Sequence, residues 1–231
     1  MHHVVVVDRW SRGSSVLHVR EARAKIVVSV ALLAAIATTP VDRQTAFAAY
    51  FCLLLAGVAL ARLPLIPLIV RAALVLPFSL TFAAISLLAG DPLRALLLLE
   101  KSFLSAIAVL LLVGTTPLPG LLKGLERLGV PRLITLTVQF LYRYLLLLID
   151  QAQRMRMAAQ CRGGRSARAG AGLLATLFQR SYERAQGISR AMLSRGFDGT
   201  LVLLRDPAFT VVDGLFTIGT IAVTVTLWRI L

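Results

Sequence analysis

Two stretches of this chain carry the same chemistry. Met157-Ala158-Ala159-Gln160-Cys161-Arg162-Gly163 and Arg190-Ala191-Met192-Leu193-Ser194-Arg195-Gly196 each read as a helix closing on a small residue, an arginine and a glycine. Glycine just past a helix takes the left-handed conformation that ends it, and a cation in the last turn suits the helix dipole. A guanidinium held there is a permanently charged fork aimed at carboxylates or carbonyls. One Arg-Gly is an ordinary helix end; two copies, both after Met/Ala-rich turns and both in the same basic arm, are harder to dismiss as ordinary caps. Three charges also interrupt apolar runs: Arg71, Glu100 and Lys101. Intramembrane charge is a functional candidate by default, yet snorkelling for Arg71 and neighbouring-helix partners for Glu100 and Lys101 are the stronger readings.

Catalytic motifs are missing. No HExxH, CxxC pair or GxxxxGK[ST] occurs, so the chain carries neither a zinc-protease signature nor its own P-loop. The acids Glu126, Asp150, Glu183 and Asp198 are scattered without metal-ligand spacing, and His2, His3 and His18 read as surface residues. Cys52 lies in an apolar stretch and Cys161 in a basic one, so they do not read as a bridge. The expectation is a chain with no metal site and no cofactor.

The elements that must position the two arginine ends follow from composition. Of 231 residues, 58% are hydrophobic and 16% charged, which points into the bilayer and excludes disorder, collagen and a disulfide scaffold. The net charge of +14 would suggest nucleic acid in a soluble protein. In a membrane protein it indicates a large cytoplasmic portion facing anionic lipid or an acidic partner, with no nucleic acid. Residues 1–25 are too polar for a cleavable leader.

Apolar runs occur at Ile26–Thr39, Ala46–Ala61, Leu65–Ala89, Leu93–Val113 and Phe209–Trp228. A span needs about 20 residues, so the first two must recruit their flanks or sit in a locally thin bilayer. Residues 1–25 hold five basic residues against Asp8 and Glu21, and residues 117–205 hold 14 against four acids. The positive-inside rule puts both segments in the cytoplasm and the C-terminus outside. The expected fold is an all-α integral membrane protein with about five transmembrane helices and long cytoplasmic helices. Its parts are a cytoplasmic segment at 1–25, four spans within 26–114, a cytoplasmic or interfacial module at 115–205, and a last span at 206–231.

Within that module, Pro131 opens a helix over Arg132–Arg162 whose Leu133–Ile149 portion is apolar enough to be taken for a span. We read that portion as membrane-embedded or interfacial, because a crossing there would put the arginine-rich part outside. A basic connector, Arg165 to Gly172, leads to a second helix from Leu173 to Arg195. Its Leu174, Phe178, Ser181, Ala185, Ile188 and Met192 step by 4, 3, 4, 3, 4 into one seam, and Arg180, Arg184 and Arg190 lie off it.

The paired ends resemble the two Ala-Arg-Gly signatures of the T component, the transmembrane coupling subunit of energy-coupling factor (ECF) transporters. Asp8-Arg9-Trp10-Ser11-Arg12-Gly13-Ser14-Ser15-Val16-Leu17-His18 with Arg23-Ala24-Lys25 is similar to the family's N-terminal signature. Thr115-Thr116-Pro117 with Leu125-Glu126-Arg127-Leu128-Gly129-Val130-Pro131 is like its opening of the coupling region, and Tyr142-Arg143-Tyr144 with Asp150–Met155 also agrees. Cys161 and Ser194 stand where the family usually has alanine, and Glu21-Ala22 replaces Asp-Pro before Arg23. These departures leave the arginines and glycines intact.

The resemblance implies a non-catalytic subunit of an ATP-driven importer in the bacterial cytoplasmic (inner) membrane, with its N-terminus in the cytoplasm. It implies two ATPase subunits docked through Cys161, Arg162, Gly163, Ser194, Arg195 and Gly196, and a substrate-binding S component held by the membrane helices. ATP and magnesium would sit on the ATPases. The N-terminal signature is most like the cobalt-type (CbiQ-like) subunit, with nickel, biotin or another vitamin as alternative substrates. The rival classes are a membrane-embedded enzyme, which would need clustered acids or a metal motif, and a basic membrane anchor.

Overall fold

The computed structural model describes residues 10, 13, 15–40, 44–163, 167–198 and 210–230. His2, His3 and most of the Asp8–Ser14 signature lie outside the described residues. Ten helices are described in full, in the order α1 (Val16–Val19), α2 (Ala22–Thr38), α3 (Gln44–Ala61), α4 (Leu65–Ala73), α5 (Leu76–Leu88), α6 (Pro92–Thr115), α7 (Leu118–Arg127), α8 (Arg132–Cys161), α9 (Ala167–Ser194) and α10 (Val211–Ile230), among the described residues. The chain divides into two units, residues 1–129 with 205–231, and residues 130–204.

The first unit is built on α2, α3, α4, α6 and α10. Its core joins Leu32 and Ile36 of α2 to Tyr50, Leu54 and Val58 of α3, Leu68 of α4, and Leu104 and Ile107 of α6. Most remaining leucines and phenylalanines of α4, α5 and α10 point outward and are exposed. Exposed apolar faces of this extent suit a lipid surround rather than water.

Among the described residues, length and composition give three helices able to cross a bilayer, α6, α8 and α10, and a fourth if α4 and α5 are one span. That is fewer than the about five expected. The difference lies in α2, only 17 residues and about 26 Å long by helix rise, and in α3, which also falls short, while α8 qualifies. The run Leu65–Ala89, expected as one span, is two helices bent by 46° at Leu74 and Val75. Pro77 accounts for the break: it has no N–H to bond to the carbonyl of Ala73, and its ring clashes there.

Polar contacts tie the helix ends of this unit. Lys101 donates to the carbonyls of Ala37 (3.0 Å) and Thr39 (2.8 Å), closing the C-terminus of α2. At the opposite end of α2, Lys25 donates to the carbonyl of Thr115 (3.0 Å) and to Thr116 Oγ1 (3.1 Å). The start of α2, the end of α6 and, through Arg20 and Asp213 at 3.6 Å, the start of α10 therefore meet at one end of the unit.

The second unit is the helix pair α8 and α9. Arg162 caps α8, as the Arg132–Arg162 reading requires. The second helix, expected from Leu173, begins instead at Ala167. Alanines at 167, 169 and 171 favour helix strongly enough to carry the exposed Gly170 and Gly172, each worth about 1 kcal/mol against it.

Candidate functional site

Both arginine ends are built as the spacing implies. At the end of α9, Gly196 has φ +68°, its N–H donates to Leu193 O (3.0 Å), and the N–H of Phe197 donates to Met192 O (3.0 Å). This is the complete Schellman pattern, with Arg195 at the C-cap. At the end of α8, Gly163 has φ +75° and donates to Gln160 O (3.1 Å), with Arg162 at the C-cap. A Cβ on either glycine would meet nothing within 4 Å, so backbone conformation alone explains the residue type.

Cys161, Arg162, Gly163, Ser194, Arg195 and Gly196 are all exposed. Neither the Arg162 nor the Arg195 guanidinium has a hydrogen-bond or ion-pair partner among the described residues, although both backbone N–H groups donate within their helix ends. Other arginines of the pair do: Arg154 bonds Asp150 at 2.6 Å and Arg190 bonds Gln186 at 3.1 Å. Ser194 Oγ is turned back onto Ala191 O at 3.0 Å, so the hydroxyl serves its own helix. The end of α9 shares a groove with the first half of α8, while the end of α8 is joined to the start of α9. Roughly 40 Å of helix thus separates the two arginines, so they cannot serve a single small ligand.

The seam of α9 faces that groove. Phe178, Ser181, Ala185, Ile188 and Met192 line a cavity of about 630 Å³ together with Phe140 and Tyr144 of α8. Leu174 instead borders a second hollow, near Met155. The seam is a real face, but an open one: Leu174 is 69% and Phe178 74% exposed.

The intramembrane charges fall on the structural side. Lys101 holds the end of α2, Glu100 is exposed, and Arg71 stacks on Trp10 with its Cζ 4.1 Å from the ring centroid. Stacking, rather than snorkelling alone, satisfies the face of that guanidinium. His18 is occupied locally, with Nδ1 2.7 Å from Ser15 Oγ and Nε2 2.9 Å from Trp10 O. Among the described residues no group of three or more His, Cys, Asp or Glu could hold a metal ion. Cys52 and Cys161 are both free and exposed.

Sequence reasoning missed a set of paired charges at the common helix end. Glu21, 2% exposed, accepts from Arg23 Nε at 2.6 Å and from Arg127 Nη1 at 2.7 Å. Asp213, 3% exposed, accepts from the N–H of Thr210 at 3.0 Å and faces Arg20. For Asp213 a signal existed, an acid inside the last apolar run. Glu21 and Arg127 are 106 residues apart, and no pattern links them.

The described residues form helices and no strands, several of the helices are long and apolar enough to cross a bilayer, as suits a membrane protein, and two helix ends present exposed arginines. The family model of the CbiQ cobalt transport protein matches residues 13–204, and the chain belongs to that family of transport proteins. Over 115 residues it is also 29% identical to a Methanocaldococcus jannaschii protein named "Uncharacterized protein MJ1089", a match covering 48% of this chain and 43% of that one. The chain thus matches less than half of that relative's length.

Proposed function

We propose that the chain is the transmembrane coupling (T) subunit of an ECF-type importer, itself non-catalytic. Arg162 and Arg195 each dock in a separate ATPase subunit, and the membrane helices hold a substrate-binding S component. ATP and magnesium belong to the ATPases in this reading, and cobalt ion is the substrate, as the family's description suggests. Nickel, biotin and other vitamins are the alternatives that the S component would decide. The protein lies in the bacterial cytoplasmic membrane with its N-terminus and the α8–α9 pair inside.

The observation that carries this reading is the pair of exposed arginines, their guanidinium groups unpartnered among the described residues, on two left-handed helix ends a helix length apart. A lone enzyme site would converge its groups; these diverge. The common end of α2, α6 and α10 supports the orientation, because the basic N-terminal segment and the start of the last helix then share a side. Purification of the tagged chain from its native membrane tests the reading. Two ATPase chains and a small membrane subunit are expected with it; recovery alone, or with lipid or nucleic acid only, would contradict it.

A further inference from the structure

The charges clustered at residues 20–25 are not used by the docking account. Glu21 occupies the N-cap position of α2 without capping that helix through its side chain. Instead its Oε1 accepts from Arg23 and Arg127, while Oε2 is buried without a hydrogen-bond partner among the described residues. Arg127 is the last residue of α7, and after four intervening residues the chain begins α8. One turn beyond Glu21, Lys25 grips the end of α6 at Thr115 and Thr116.

A second feature brings α7 to this place. A Cβ on Gly124 would fall 3.0 Å from both Ala22 Cβ and Ile26 Cδ1, and 3.3 Å from the carbonyl carbon of Ala22. Any Cβ here would push α7 away from the first turns of α2 by a few tenths of an ångström, and one turn later Arg127 reaches Glu21. A buried carboxylate with one idle oxygen is a poor device for stability, since apolar side chains of similar volume would hold the helices at least as well. What a charged pair adds is a fixed register.

We propose that Glu21 and Arg127 form a clasp that fixes α7 in one register on α2, so that displacement of α8 is delivered to the membrane unit. Both are positioning residues; neither touches nucleotide or cargo. The clasp rests on the coupling reading for its purpose, but not for its geometry.

The test uses two measurements. In the first, spin labels at Val27 and Lys123 of the cysteine-free chain (Cys52→Ala/Cys161→Ala) report the α2–α7 separation with no ATPase present. A single narrow distance is expected for the parent, a broadened one for Glu21→Gln and for Gly124→Leu, and a narrow one again for Glu21→Asp. An unchanged distribution in Glu21→Gln overturns the clasp, whatever the chain couples to. In the second, the complex purified with its ATPases is reconstituted. Glu21→Gln is expected to keep both ATPases and hydrolyse ATP within about twofold of the parent. Transport per ATP should fall by about tenfold or more, the scale of one lost charge-assisted contact, with recovery in Glu21→Asp. Hydrolysis and transport falling in proportion would reduce the pair to a folding element. If the parent brings no ATPase, the coupling reading fails, and the label distances still decide the clasp.

Discussion

A guanidinium at an exposed helix end contributes little to folding, because water and the last carbonyls already satisfy its surroundings. That makes Arg162 and Arg195 separable from stability in a way that Glu21 is not. Removing one partner of a buried ion pair typically costs about 3–5 kcal/mol, and Glu21 is buried. Cys161 belongs with the exposed set. Cys161→Ala is expected to leave ATPase retention and transport unchanged; a large loss in transport would give the thiol a role of its own. Gly196 is different, since any side chain at φ +68° is strained. Gly196→Ala should weaken the end of α9 by about 1 kcal/mol, read as faster amide exchange at Phe197, whose N–H closes the Schellman turn. Both helix ends were legible because a C-cap is local: small residue, arginine and glycine suffice. The Glu21–Arg127 pair was not, because it is made by packing across 106 residues.

Among the elements, the long apolar helices were readable from hydropathy, and their breaks were not. Pro77 lies within an apolar run, and only the two-helix geometry shows that the chain bends before it rather than kinking mildly through it. The start of α9 was set too late because Gly170 and Gly172 suggested a connector, whereas the neighbouring alanines extend the helix. α7 escaped notice as an element of its own. It is ten residues long and amphipathic, with Leu122 and Gly124 buried, too short to show a period by itself. The element whose role matters most for topology is α8, long and apolar enough to cross yet expected to lie in the interface. In the cysteine-free chain, Ala171→Cys is expected to resist an impermeant thiol reagent added outside the cell, and Arg229→Cys to react with it. Labelling at position 171 would make Leu133–Ile149 a true span and reverse the side on which α9 lies.

At the scale of the whole molecule, a net charge of +14 accompanies a chain that is 58% hydrophobic. The first unit supplies exposed apolar helix faces and a polar, tightly paired helix end; the second supplies two helices whose terminal guanidinium groups have no partner among the described residues. In the proposed coupling role, a protein so divided joins a membrane partner to soluble ones. The central claim is that the two arginine ends are the ATPase contacts. Its most direct test is retention of the ATPase subunits on the tagged double variant Arg162→Glu/Arg195→Glu, purified in detergent beside the parent. Each lost charge-assisted contact costs about 1.5–3 kcal/mol, and each new carboxylate opposes the helix dipole. The account therefore predicts that the double variant loses both ATPases while keeping the parent's thermal midpoint and its S component. A double variant that retains its ATPases and transports at the parent's rate would contradict it.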